Sequence, residues 1–273
     1  MKTLIVSHDA GGANLLLYWA STQNMEFDYL VSGPAEQILT KLGIKEYYSC
    51  LNDVEINDYD QVISSTGWQT SFEVEAINKA LENNVFCTAY LDHWVNYRER
   101  FVFGEKFVLP NQIWVVDKQA KEIAESEFLG LPITVVENQY ENTLISGIEK
   151  HSETRLLICL EPIRNRAINV NEIMTDLALH LIVNFKDWKF RIRRHPSGEE
   201  DGFNTLTKEL EDKVVVEVER DQLIDDLNDS SAVLGYQSSV FSLANKTNRK
   251  VFSYFLKSSL KPLLPHSYIN YLL

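Results

Sequence analysis

The sequence predicts an α/β protein built as two doubly wound, Rossmann-like halves that face each other across a cleft. Short apolar runs alternate with amphipathic segments almost from end to end, which is the pattern of a parallel sheet covered by helices on both faces. The alternation lapses in a polar stretch over 137–152 and then restarts. Hydrophobic residues make up 45% of the 273 and charged residues 24%, with only 11 Gly and 7 Pro. A chain of that make-up folds around one sizeable core or two modest ones, without a long flexible linker.

Each element has its own signal. Thr3–Ser7 (TLIVS) is a buried strand, followed by the turn His8-Asp9-Ala10-Gly11-Gly12 and a helix over 13–21. A strand over 27–32, a helix over 35–42 and the strand Gln61–Ser65 (QVISS) come next. The spacing of Phe72, Ala76, Ile77, Ala80 and Leu81 predicts a helix over 70–83. Strands over 85–91, 113–116 and 133–136, with a helix over 118–129, complete the first series. The second series predicts strands over 156–160, 188–193, 214–218, Ala232–Gly235 and 251–254. Its helices fall over 169–185, Phe203–Leu210, 222–227 and 239–245. Domains are therefore expected at 1–140 and 153–273, joined by a linker over 141–152. Open α/β sheets bind ligands at the carboxyl ends of their strands, so the cleft is the expected site.

Net charge is −13, and nearly all of it lies in the first half. Residues 1–150 hold 10 Lys and Arg against 22 Asp and Glu, whereas residues 151–273 hold 16 against 17. Neither half offers the broad basic face that displaces counterions from a nucleic acid, and the acidity also disfavours an anionic membrane surface. Cys50, Cys87 and Cys159 show no paired spacing, and the last two lie in apolar strands, which predicts reduced core thiols. Neither a leader pattern nor a run of about 18 apolar residues is present, so a cytoplasmic protein without a membrane span is expected.

The chemistry-bearing residues sit at strand ends. Gly11-Gly12 follows the first strand, where small residues let backbone N–H groups approach a ligand, or simply make a tight turn. Beside them, Asp9 is placed for acid/base work or for helix capping. The run matches neither GxGxxG nor GxxxxGK[ST], so a nicotinamide dinucleotide and an NTPase site are disfavoured. Asp92, His93 and Trp94 end another strand, with Arg98 and Arg100 close behind. Together they make a ligand wall, or else a helix cap with a core indole.

Arg191-Ile192-Arg193-Arg194-His195-Pro196 is the sharpest signal. Period-2 geometry puts Trp188, Phe190 and Ile192 on one face and Arg191, Arg193 and His195 on the other. The proline ends the strand, so positive charge and an imidazole are expected to face a phosphate; a solvated edge strand is the alternative, which explains the arginines but not the His-Pro stop. Gln237, Ser238 and Ser239 follow a further strand and open a helix, as an N-cap or as a phosphate cradle. Glu161 follows the first strand of the second half and is a candidate cleft residue. Asp58-Tyr59-Asp60 spells DxD but precedes a strand, and no His/Cys cluster has zinc spacing, so no metal ligand is expected.

The His195-Pro196 turn, the Ser238-Ser239 pair and the Gly11-Gly12 turn together resemble the GT-B glycosyltransferases of bacterial surface-polysaccharide synthesis. Within them the likeness is to the sialyl-, polysialyl- and Kdo-transferase-like families with HP and SS motifs. The stretch from Leu109 to Asn138 also looks like the last βαβ of a GT-B amino-terminal domain. No acidic-acidic-glycine motif of the sialyltransferase type is present. The resemblance implies a nucleotide-sugar donor as co-substrate, a glycan or lipid-linked glycan acceptor, and no other cofactor or metal. It implies that His195, Ser238 and Ser239, with Arg194, Pro196 and Gln237 beside them, hold the donor phosphate. Asp9 would be the base, with Asp92 and His93 as the other candidates, and the outcome would be inversion. A nucleotide-sugar hydrolase or epimerase on the same scaffold, and a non-catalytic nucleotide- or glycan-binding protein, are the alternatives.

Overall fold

A computed structural model describes residues 1–67, 70–148, 154–161, 169–195, 202–211, 215–254 and 264–272. The chain divides into two compact units, Met1–Asn142 and Thr143–Leu273.

The first unit contains β1 (Thr3–Ser7), α1 (Ala10–Ser21), β2 (Asp28–Val31), α2 (Pro34–Lys41), β3 (Gln61–Ser65), α3 (Phe72–Glu82) and β4 (Phe86–Leu91). A small antiparallel hairpin follows, β5 (Val102–Phe103) with β6 (Lys106–Phe107), then β7 (Gln112–Val115), α4 (Lys118–Glu127) and β8 (Ile133–Val135), and α5 (Gln139–Ile145) runs across the boundary at Asn142. Six strands form one parallel sheet in the order β2-β1-β3-β4-β7-β8. The order reverses between β1 and β3, and that is where such sheets open a ligand crevice. Ile5, Ile63 and Tyr90 of the sheet pack with Ala13, Leu16 and Leu17 of α1 and with Leu39 of α2.

The second unit contains β9 (Arg155–Cys159), α6 (Val170–Asn184), β10 (Lys189–Arg193), α7 (Phe203–Leu210), β11 (Val216–Val218), α8 (Leu223–Asn228), β12 (Ala232–Gly235), α9 (Val240–Lys246), β13 (Lys250–Tyr254) and β14 (Ile269–Leu272). Its sheet is also parallel, in the order β11-β10-β9-β12-β13-β14. Counted within the unit this is 3-2-1-4-5-6, the Rossmann order, with its switch between β9 and β12. Leu156, Ile158, Phe190, Ile192 and Leu234 of the sheet bury against Met174, Leu177 and Leu181 of α6 and Leu206 of α7.

Both halves are thus doubly wound α/β units. Three local differences from the sequence reading have simple causes. Helix α1 starts at Ala10, so Gly11 and Gly12 lie in its first turn rather than in a loop; the Ala13 N–H already bonds the Asp9 carbonyl at 2.8 Å. Helix α5 runs into the stretch taken as a linker. The β5–β6 hairpin escapes periodicity because two residues are too few to register it, and β14 because it is an edge strand whose run is broken by the exposed Asn270. Cys87 and Cys159 are buried and unbridged, and burial raises both thiols, that of Cys159 to about 12, which leaves them un-ionised at neutral pH.

Candidate functional site

In the first unit, the switch between β1 and β3 gathers a cluster of polar groups. His8 and Asp9 cross from β1 into α1, and the His8 imidazole Nδ1 lies 2.8 Å from Asp9 Oδ1, both side chains half-buried. Asp9 occupies the N-cap position of α1 with extended backbone, yet its carboxylate makes no capping bond. It is turned to His8 instead. Glu73, in the first turn of α3, reaches under the same tip and is only 2% exposed. One of its oxygens, Oε1, accepts the His8 N–H at 2.9 Å, the Asp9 N–H at 3.3 Å and the Ser65 hydroxyl at 3.3 Å. Burial, and then the charge of Asp9, push the Glu73 carboxyl above the usual range despite those donors.

Two glycines make this crowding possible. A β-carbon on Gly67 would stand 2.7 Å from Asp9 Oδ2 and 3.0 Å from Glu73 Oε2, and one on Gly12 would meet Ser65 Cβ at 2.8 Å. Gly67 therefore follows β3 so that two carboxyl groups can sit over its backbone.

Next along the sheet, Asp92 leaves the end of β4. It caps no helix; its Oδ1 receives Arg100 at 2.5 Å. Arg100 is buried and also donates to the Thr66 carbonyl at 3.0 Å and hydroxyl at 2.9 Å, tying the β3 and β4 tips together. His93 is half-buried with its ring against Trp94. Trp94 is a core residue that donates to Asp117, itself the cap of α4. Gly11, Asp9, His8, Glu73, Asp92 and Arg100 thus belong to one neighbourhood at adjacent strand ends. Asp58 and Asp60 lie away from it, Asp60 accepting the Lys2 N–H at 2.7 Å. Among the described residues no group of three acidic, histidine or cysteine side chains is arranged to hold a metal ion.

The second unit corrects the reading of its arginines. Phe190 and Ile192 do face the core, and Arg191 and Arg193 face the other way. Acidic partners from β11 and α8 meet them there. Arg191 bonds Glu217 and lies 3.2 Å from Asp229 and 3.5 Å from Asp226; Arg193 bonds the fully buried Asp226 at 2.8 Å. Arg155 from β9 joins at Glu217 (3.1 Å) and Asp229 (3.6 Å), and Arg220 at Asp229. Desolvation raises Glu217 and Asp229, but the arginine hydrogen bonds and charges outweigh it and hold both carboxyls below the usual range. Those cations are committed to an internal network. Arg194 is exposed, its N–H on Glu219 and its guanidinium over Phe203. His195 is half-buried, and Pro196 lies outside the described residues.

At the switch of this sheet, Glu161 leaves β9 and turns to the β12 tip. Its carboxylate accepts the backbone N–H groups of Tyr236 at 3.3 Å and Gln237 at 3.1 Å. Burial pushes it up to about 7 in spite of those donors. Ser238 accepts the Val240 N–H at 3.4 Å, while Ser239, at the N-cap position of α9, is exposed and makes no capping bond with its side chain. The His195 and Ser238 tips are not neighbours, because β9 and Glu161 run between β10 and β12. Glu73 is not legible in the sequence, where its only visible mark is an acidic residue in the first turn of a helix. Glu161 was visible as a carboxylate at a strand end, but its amide partners were not.

No family model and no curated protein matches this chain in sequence. Solved structures do match in fold. The Staphylococcus aureus MnaA–UDP complex aligns with a TM-score of 0.68 at 14% identity, over 93% of this chain and 79% of that one. The UDP-GlcNAc 2-epimerase of Neisseria meningitidis bound to UDP-GlcNAc gives 0.67 at 14%, over 93% and 82%. The Escherichia coli heptosyltransferase WaaC with ADP gives 0.50 at 15%, over 99% and 92%. At such identities the likeness is one of architecture: the chain has the two Rossmann-like units of GT-B-fold proteins.

Proposed function

We propose that this chain is a nucleotide-sugar enzyme and that its reaction is glycosyl transfer to a hydroxyl acceptor. The observation that carries the reading is the Asp9–His8 pair, a half-buried carboxylate and imidazole in contact at the switch of the first sheet. In the step proposed, Asp9 takes the acceptor hydroxyl proton as the new bond to the anomeric carbon forms. The bond from that carbon to the donor phosphate breaks, and its electron pair leaves with the phosphate. Positioned base catalysis is worth on the order of 100- to 10,000-fold. At the second switch, the Tyr236 and Gln237 amides and Ser238 are the groups offered to the phosphate, with His195 one strand away at the end of β10, and fixed donors of that kind supply about 3 kcal/mol each. Glu161 now uses those amides, so it is the group a phosphate would meet, and in its protonated form it would donate rather than repel.

The fold likeness to the Neisseria meningitidis UDP-GlcNAc 2-epimerase favours a second reading, in which the same carboxylates move a proton on the donor sugar without an acceptor. Incubation with CMP-, CDP-, ADP-, UDP- and GDP-sugars, with and without oligosaccharide, separates the two. Transfer releases nucleotide only with acceptor, whereas epimerisation changes the sugar in donor alone. Asp9→Asn is expected to lower turnover at least 100-fold with donor affinity preserved. Wild-type turnover in that variant overturns the base assignment. A ligand present at 100 times its dissociation constant adds about 2.7 kcal/mol of stability, so thermal shifts identify the base of the nucleotide first.

A further inference from the structure

Glu73 has a second oxygen that the fold leaves unused. Oε1 collects three donors from the β1 and β3 ends, but Oε2 is buried and has no hydrogen-bond partner among the described residues. It is not aimed at solvent. Together with Asp9 Oδ2 it converges on the space above the Gly67 backbone, at 3.0 and 2.7 Å from the place a β-carbon would take, which sets the two oxygens within about 6 Å of each other, the range in which like charges interact strongly.

We propose that Glu73 and Asp9 act as a carboxyl pair holding one proton between them, Glu73 as the neutral acid that positions the tip and Asp9 as the ionised member. Three features of the surroundings support this division. Asp9 is partly exposed and has the His8 imidazole against its other oxygen, so its carboxylate is in part hydrated and hydrogen-bonded there; Glu73 Oε2 has neither advantage. Arg100, the cation beside the β3 and β4 ends, is committed to Asp92 and Thr66. On α3 itself the other acid of the first turn, Glu75, adds a further negative charge, against which the helix N-terminus offers only partial compensation. Desolvation and Asp9 act in the same direction on Glu73. Gly67 is then the residue that keeps the pair together, since any side chain there would drive the carboxyls apart.

The pair would titrate in two macroscopic steps. Only its kinetic consequence rests on Asp9 being the base; its existence does not. The test is a carbon-13 carboxyl titration of the whole protein, wild type against Glu73→Gln and Asp9→Asn, with folding checked by thermal melts. In the wild type two steps should appear, the upper one on the Glu73 signal. Glu73→Gln mimics the neutral acid and should abolish the upper step while keeping the lower. Asp9→Asn should move the Glu73 midpoint to lower pH by at least one unit. A wild-type Glu73 that is ionised at pH 5, or a Glu73 midpoint indifferent to Asp9→Asn, overturns the proposal, and the wild-type titration stands even where a variant fails to fold. If both steps appear but Asp9→Asn turns over normally, the pair stands and the base assignment falls.

Discussion

A β-carbon on Gly11 would overlap the Asp92 carboxylate oxygen Oδ2, so the first turn of α1 and the end of β4 can be this close only because residue 11 has no side chain. Asp92 has little freedom to retreat, being pinned by Arg100 at 2.5 Å. Inside a helix, alanine is ordinarily better than glycine by about 1 kcal/mol. The two effects oppose each other, and a double-mutant cycle separates them. Gly11→Ala alone is expected to lose roughly 1–3 kcal/mol through overpacking. The same change in an Asp92→Ala background should be neutral or stabilising. Equal effects in both backgrounds, measured by urea unfolding, would show that Gly11 serves some other purpose.

The arginine network of the second unit predicts a stability effect where the sequence suggested a ligand effect. Asp226 is fully buried, and its carboxylate rests on Arg191, Arg193 and the Arg220 N–H. Arg191→Met keeps the bulk of the side chain but strips a charge from Glu217, Asp226 and Asp229. Breaking one side of a buried ion pair costs about 3–5 kcal/mol, and a loss of that order in denaturant midpoint is expected. Arg194→Ala, at an exposed position stacked on Phe203, should stay within about 0.5–1 kcal/mol of wild type. If Arg191→Met instead left stability intact and abolished nucleotide binding, the network would be a ligand site after all.

The contrast shows where the sequence was legible and where it was not. Strands such as Thr3–Ser7, Gln61–Ser65 and Ala232–Gly235 are continuous apolar runs because both faces of a parallel sheet are covered, and they could be read off almost to the residue. Which side chains meet at the strand ends could not. Asp9 and Asp92 were visible as carboxylates after strands, whereas Glu73 lies 64 positions from Asp9 and reaches it only because β3 pairs with β1. Arg191 and Arg193 looked like free cations for the same reason. Their partners Glu217, Asp226 and Asp229 come from a strand and a helix further on, and only the fold brings those carboxylates to them. Local periodicity reports which way a side chain points, not what waits there.

Glu161 gives the protein a pH dependence with a definite sign. Its ordinary value is 4.5, and burial at the β9–β12 switch raises it to about 7. Folding therefore retains a proton that the unfolded chain releases, and the native state loses stability as pH rises from about 4.5 to about 7, with no further change above. The full shift corresponds to about 3 kcal/mol, but the side chain is only half-buried, so a difference on the order of 1–2 kcal/mol is the realistic expectation once solvent screening is allowed for. Glu161→Gln keeps an acceptor for the Tyr236 and Gln237 amides and cannot ionise. Its unfolding free energy should match wild type near pH 5 and exceed it near pH 8, the gap opening between the two. A gap that is constant across that range would mean that the Glu161 carboxylate is ionised throughout, held by its two amide donors more firmly than burial opposes it.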